Sequence, residues 1–119
     1  MKPDTTPSRL LVLGCGYIGR AVASRALRAG WDVAALTRNP ETAAQLRASG
    51  VNPVVEADLA TTTWHEPLAG RFDAVLNCVS ASGGGYDAYH HAYVATQESI
   101  LRWAERHPPR WYGFTSSTG

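Results

Sequence analysis

Cysteine is scarce in this chain. Cys15 and Cys78 are the only two, too few for the disulfide framework of a small secreted domain. Neither a signal-peptide pattern nor an apolar run of membrane-spanning length is present. A reducing, cytoplasmic setting with no membrane partner is therefore expected. An excess of one charge is also missing: 11 basic and 10 acidic side chains give a formal net charge of +1. A nucleic-acid surface needs clustered base, so no nucleic-acid partner is expected. Arg20, Ser24 and Arg28 recur every four residues and read as the solvated face of one helix. His65, His90, His91 and His107 have no metal-ligand spacing with the cysteines, and no metal site is expected. Repeats and low-complexity segments are lacking, apart from the triplet Gly83-Gly84-Gly85.

What is present is an ordinary globular composition, 119 residues of which 45% are hydrophobic. A chain of this size buries roughly two thirds of its unfolded surface, enough for one domain without staples. Its organising stretch is Arg9-Leu-Leu-Val-Leu-Gly14-Cys-Gly16-Tyr-Ile-Gly19. An apolar run ends in a glycine-rich turn, and the turn opens into an alanine-rich helix. Strand, Gly-x-Gly-x-x-Gly, helix is the setting of a dinucleotide-binding fingerprint. Gly14 takes the tight turn, Gly16 lets a pyrophosphate approach the backbone, and Gly19 lets the helix pack on the sheet. The first N–H groups of that helix lack partners and its dipole end is positive, which suits a phosphate. The bland alternative is a purely structural turn.

Read in order, residues 1–8 look like a loose tail. A first strand follows at 10–13, then a helix over 17–29, with Gly30 as its stop. Residues 32–37 read as a second strand and 41–48 as a second helix, which Pro40 can start. A third strand is expected at 51–57. Residues 61–70 read as polar and irregular, with one short helical turn at most. A fourth strand is expected at 72–78, a loop at 79–86, a third helix at 87–106 and a fifth strand at 110–115. The glycine triplet reads either as simple flexibility or as a mobile loop beside a site. Tyr86, Tyr89 and Tyr93 read as a packing stripe. The alternation of strand and helix predicts an α/β, Rossmann-like, doubly wound parallel sheet in the order 3-2-1-4-5, with a ligand at the switch point.

Five stretches together carry a family resemblance: Gly14-Cys-Gly-Tyr-Ile-Gly-Arg, Gly30-Trp-Asp-Val-Ala-Ala-Leu-Thr-Arg38, Ala57-Asp58-Leu59, Asp73-Ala-Val-Leu-Asn77-Cys, and Phe114-Thr-Ser-Ser-Thr-Gly119. Over residues 9–119 the chain resembles the N-terminal part of an extended or atypical short-chain dehydrogenase/reductase, of the NAD(P)-dependent epimerase/dehydratase type. The resemblance implies that Gly14, Gly16, Tyr17, Ile18 and Gly19 form the phosphate turn. It places Thr37 and Arg38 at the adenosine ribose or its 2′-phosphate, and Asp58 at the adenine amino group with Leu59 beside it. Asn77, Cys78 and Val79 fall beside the nicotinamide-side ribose. Ser117 matches the catalytic Ser or Thr, with Ser116 and Thr118 as alternatives. Read without the resemblance, Asp58 is a turn aspartate and the serines simply end a strand.

The same resemblance implies a Tyr-x-x-x-Lys pair, in which lysine lowers the pKa of a tyrosine base. Lys2 is the only lysine, and no tyrosine stands four before it. The chain is therefore expected to be the cofactor part of a longer protein and inactive alone. The implied substrate is a nucleotide sugar or a similar small hydroxylated metabolite. The cofactor expected is NADP, with NAD as the alternative, because Arg38 stands where NAD-selective domains place an acid. Apolar residues on two faces of the helix at 87–106 raise the expectation of a homodimer. The competing class is a dinucleotide-sensing regulatory module without catalysis. Sensors of that kind, and flavin-binding domains, usually end the second strand on an acid, which Thr37-Arg38 is not.

Overall fold

The computed structural model describes residues 8–14, 16–78 and 94–114. Five strands, β1 (Arg9–Leu13), β2 (Asp32–Thr37), β3 (Val54–Glu56), β4 (Ala74–Asn77) and β5 (Trp111–Phe114), form one sheet ordered β3-β2-β1-β4-β5. Every neighbouring pair runs parallel. Helix α1 (Tyr17–Arg28) links β1 to β2, α2 (Pro40–Ser49) links β2 to β3, and α3 (Thr96–Arg106) precedes β5. This is the Rossmann-like sheet that the alternation predicts.

Pleating sorts the core into two layers. Leu11, Leu13, Ala34, Leu36 and Val75 face one side, and Leu10, Val12, Val33, Ala35 and Val54 face the other. Successive strand residues point to opposite faces, so a sheet covered on both sides needs an unbroken apolar run. Helices α1 and α2 close the second layer with Ala23, Ala43 and Leu46. Helix α3 closes the first with Ile100 and Trp103.

Several boundaries move. Ser8 is not loose, because its carbonyl accepts from the Asp32 N–H at 2.9 Å. Helix α1 ends at Arg28. Gly30, at φ 90°, then lets its own N–H and that of Trp31 bond back to the Leu27 and Ala26 carbonyls. Helix α2 is one residue longer at each end, and it starts at Pro40 because Asn39 accepts from the Glu41 and Thr42 N–H groups and Pro40 takes the first helical position. The third and fourth strands are shorter than expected. The Val51 N–H turns back to the Leu46 carbonyl as the cap of α2 and so cannot start a strand. The loop at 79–86, the tyrosine stripe and the start of the helix expected at 87 lie outside the described residues.

The largest departure is residues 61–70. They are irregular, as expected, but they are not a polar bystander. Trp64 and Leu68 are completely buried and form the floor of the first layer with Leu59, Phe72 and Trp103. Three bonds pin the segment to α3. The Trp103 indole donates to the Leu68 carbonyl at 3.0 Å, and the Ser99 hydroxyl donates to the Thr61 carbonyl at 2.6 Å. That spends the Ser99 proton, so the 3.0 Å contact with His65 makes His65 Nε2–H the donor.

The pKa of His65 is lowered, and burial is the main cause. Desolvation lowers its pKa from the ordinary 6.5, the Ser99 bond opposes this, and Arg106, His107 and Arg102 lower it further. A depressed folded-state pKa stabilises above the unfolded value. That contribution fades as pH falls from about 6.5 toward the folded value, since the unfolded chain takes the proton first. The urea midpoint should therefore drop between pH 7.5 and 5.5, and His65→Gln should drop less. Identical pH profiles for the two proteins would refute this role.

Candidate functional site

The C-terminal edge of a parallel sheet is where chain crossovers diverge and leave a crevice. Here β1 lies between β2 and β4, and the connection out of β1 runs to one side while β4 lies on the other. Gly14, Arg38, Asp58 and Cys78 follow the last residues of β1, β2, β3 and β4 within two positions.

The turn after β1 has a consistent geometry. Gly14 sits at φ 75°, a left-handed conformation that favours glycine, and its N–H donates to the Leu36 carbonyl at 2.9 Å. The Gly16 carbonyl receives the first helical bond, from the Arg20 N–H at 2.9 Å. The N–H groups of Tyr17, Ile18 and Gly19 therefore precede the helical ladder. Helix α1 has no side-chain cap and no acid in its first turn, whereas α2 has both. Gly16 has an ordinary φ of −94°, and a Cβ built on it meets nothing within 4 Å. Protein packing does not demand glycine there, so the open space is what an approaching phosphate would use. Tyr17 and Ile18 are exposed at the mouth, and Gly19 is buried against the sheet.

Beside this turn, Thr37 pairs in register with Glu56. Continuing that register sets Arg38 opposite Ala57, one residue short of Asp58, and Arg38 Nη1 reaches to 3.8 Å from Asp58 Oδ2. The loop carrying Arg38 is fixed from beneath, because the Asn39 N–H donates to the buried Thr37 hydroxyl at 3.2 Å. The Asp58 carboxylate also holds its own turn, accepting from the Ala60 N–H at 2.9 Å. The turn reading of Asp58 thus holds, and the same side chain faces Arg38. Leu59 points into the core, and its carbonyl accepts the Trp64 indole N–H at 3.0 Å.

On the other flank, Asn77 is buried at the end of β4, and its amide donates to the Tyr112 hydroxyl at 3.2 Å. Cys78 is half-buried and its N–H donates to the Leu13 carbonyl at 2.7 Å. Val79 and Ser117 lie outside the described residues, as do Ser116 and Thr118. Two supporting residues escaped the sequence reading. Asn39 was legible as Asn-Pro at a helix start. Tyr112 depends on the β4–β5 register and had no local signal.

The C-terminal edge of the sheet thus gathers an uncapped helix start, a cation beside a carboxylate, and a buried amide. A profile of the NAD-dependent epimerase/dehydratase family matches residues 10–119. The chain belongs to that family. Comparison with curated proteins finds no match. Among solved structures, a Bacillus halodurans protein described as an NAD-dependent epimerase/dehydratase is 27% identical, with a TM-score of 0.76 over 94% of this chain and 52% of its own. A Burkholderia multivorans protein described as a short-chain alcohol dehydrogenase is 18% identical, with a TM-score of 0.72 over 94% of this chain and 62% of its own. The yeast methylglyoxal/isovaleraldehyde reductase, complexed with NADPH, is 18% identical, with a TM-score of 0.68 over 92% of this chain and 37% of its own. The latter two share the fold. The chain spans about half the length of the Bacillus halodurans relative. As a member of the epimerase/dehydratase family, it carries the Rossmann-like fold described above. Among the described residues, no helix is long and apolar enough to cross a membrane, and no group of His, Cys, Asp or Glu could hold a metal ion.

Proposed function

We propose that this chain is the dinucleotide-binding part of an NADP-preferring epimerase, dehydratase or reductase. The uncapped start of α1 behind Gly14 and Gly16, with Arg38 on its flank, is the observation that carries the reading. The N–H groups of Tyr17, Ile18 and Gly19 would hold the pyrophosphate. Arg38 would hold the 2′-phosphate, Asp58 the adenine amino group, and Asn77, Cys78 and Val79 the second ribose. Nicotinamide, when bound, would supply hydride transfer, while the protein supplies position and polarisation. Ser117 would hydrogen-bond the reacting oxygen of a nucleotide sugar or a similar hydroxylated substrate. The NADPH in the yeast reductase supports the choice of cofactor.

The end of β2 carries Arg38 in place of an acid that would accept from the ribose hydroxyls, and a guanidinium can take a phosphate with two parallel charge-assisted bonds. At an edge exposed to solvent this is worth about 1.5–3 kcal/mol, or roughly ten- to a hundredfold in favour of NADP. Titrating both cofactors tests it. Equal affinities, or a preference that survives Arg38→Ala, would remove Arg38 from this role. The same mixture with a panel of carbonyl substrates should oxidise no NADPH, because the chain carries no Tyr-x-x-x-Lys pair.

A homodimer forms part of the proposal. Leu101 on α3 and Trp111 and Phe114 on β5 are exposed apolar side chains, and β5 is an edge strand among the described residues. Unpaired edges and apolar faces invite association. Light scattering at micromolar concentration should give a mass above the monomer; a clean monomer would count against it.

A further inference from the structure

Arg38 and Asp58 have been assigned to different parts of one ligand, yet they face each other. We propose that Asp58 limits the preference for NADP by competing with the 2′-phosphate for Arg38. This rests on the cofactor reading above and goes beyond it by making the preference a property of the pair.

The two side chains are unequal partners. Asp58 is anchored: Oδ1 accepts the Ala60 N–H at 2.9 Å, and the Asp58 carbonyl accepts the Thr61 hydroxyl at 2.7 Å. Oδ2 is the oxygen that faces Arg38, at 3.8 Å. Arg38 is the movable one, with 60% of its side chain exposed against 32% for Asp58. Its loop is fixed through Thr37 and Asn39, so the backbone stays while the guanidinium can turn. A phosphate reaching Arg38 must share it with a carboxylate that cannot retreat, and the two anions repel. The other basic side chain near this sheet edge, Arg47, is committed to Glu56 and to the Val54 carbonyl, both at 3.1 Å. No such competition arises with NAD, whose ribose is uncharged at that position. Asp58 therefore acts as a positioning residue whose effect passes through Arg38.

Asp58→Asn is the informative variant. Asparagine keeps the oxygen that accepts the Ala60 N–H and removes only the charge. The ratio of NADP to NAD affinity should rise roughly three- to tenfold, the scale of one nearby charge at a solvated edge. Any loss at the adenine amino group weakens NAD and NADP alike and cancels in that ratio. The gain should shrink as salt is raised, should mostly vanish in Arg38→Ala, and should be absent in Asp58→Glu, which keeps the charge. Titrations of NADP and NAD into wild type, Asp58→Asn, Asp58→Glu, Arg38→Ala and the double variant Asp58→Asn/Arg38→Ala read this directly. An unchanged or lower ratio in Asp58→Asn overturns the proposal. So does a full gain that persists without Arg38. If Arg38→Ala alone removes the NADP preference but Asp58→Asn does nothing, the cofactor reading stands and only the competition falls. If Arg38→Ala leaves the ratio untouched, both fall.

Discussion

Gly16→Ala should weaken dinucleotide binding by about a hundredfold, the equivalent of one or two charge-assisted hydrogen bonds, and leave the fold as stable as before. The two halves of that expectation come from different facts. The backbone at Gly16 lies at φ −94°, and an added Cβ touches nothing within 4 Å. The change in stability should therefore stay within about 0.5 kcal/mol, the range of an unremarkable surface substitution. The methyl group would instead occupy the space in front of the free N–H groups of α1, where a pyrophosphate must come close. Gly14 supplies the contrast. Its φ of 75° penalises any side chain, so Gly14→Ala should cost about 1–2 kcal/mol of stability as well as binding. Fluorescence titration with NADPH and a thermal melt on each variant separate the two effects. Undiminished binding by Gly16→Ala would mean that the phosphate does not sit at this turn.

The second large effect is expected in the core, at Trp64→Ala. Trp64 is fully buried among Leu59, Leu68, Phe72 and Trp103, and its ring centroid lies 5.7 Å from that of Trp103. Truncation leaves a cavity and strands the Leu59 carbonyl that the indole N–H satisfies at 3.0 Å. Large-to-small changes of this kind cost about 3–5 kcal/mol. A domain of this size should then melt roughly 12–25 °C lower. Trp64→Phe keeps most of the ring and loses mainly the hydrogen bond, so it should cost only about 1–2 kcal/mol. Because Leu59 adjoins Asp58, the milder variant should still fold and bind the cofactor somewhat less tightly. A melt for Trp64→Ala within a few degrees of wild type would show that residues 61–70 are not a structural floor.

Sequence by itself determined what depends on local pattern. The turn from β1 into α1 needs an apolar run, glycines at fixed spacing and a helix former, and all are contiguous in the chain. Strand order followed from alternation, because parallel strands require crossovers and short crossovers bring neighbours together. Asn39-Pro40 belonged to the same legible class. What the sequence could not decide is whatever depends on register between distant segments. Arg38 and Asp58 become neighbours only because Thr37 pairs with Glu56, and Asn77 finds Tyr112 only through the pairing of β4 with β5. Trp64 and Leu68 stand as isolated apolar residues in a polar stretch, so no periodicity announces them. They are buried because α3 crosses above them and Trp103 and Ser99 bond to that segment. Burial of a lone side chain is a property of what packs against it, and only the tertiary structure supplies that partner.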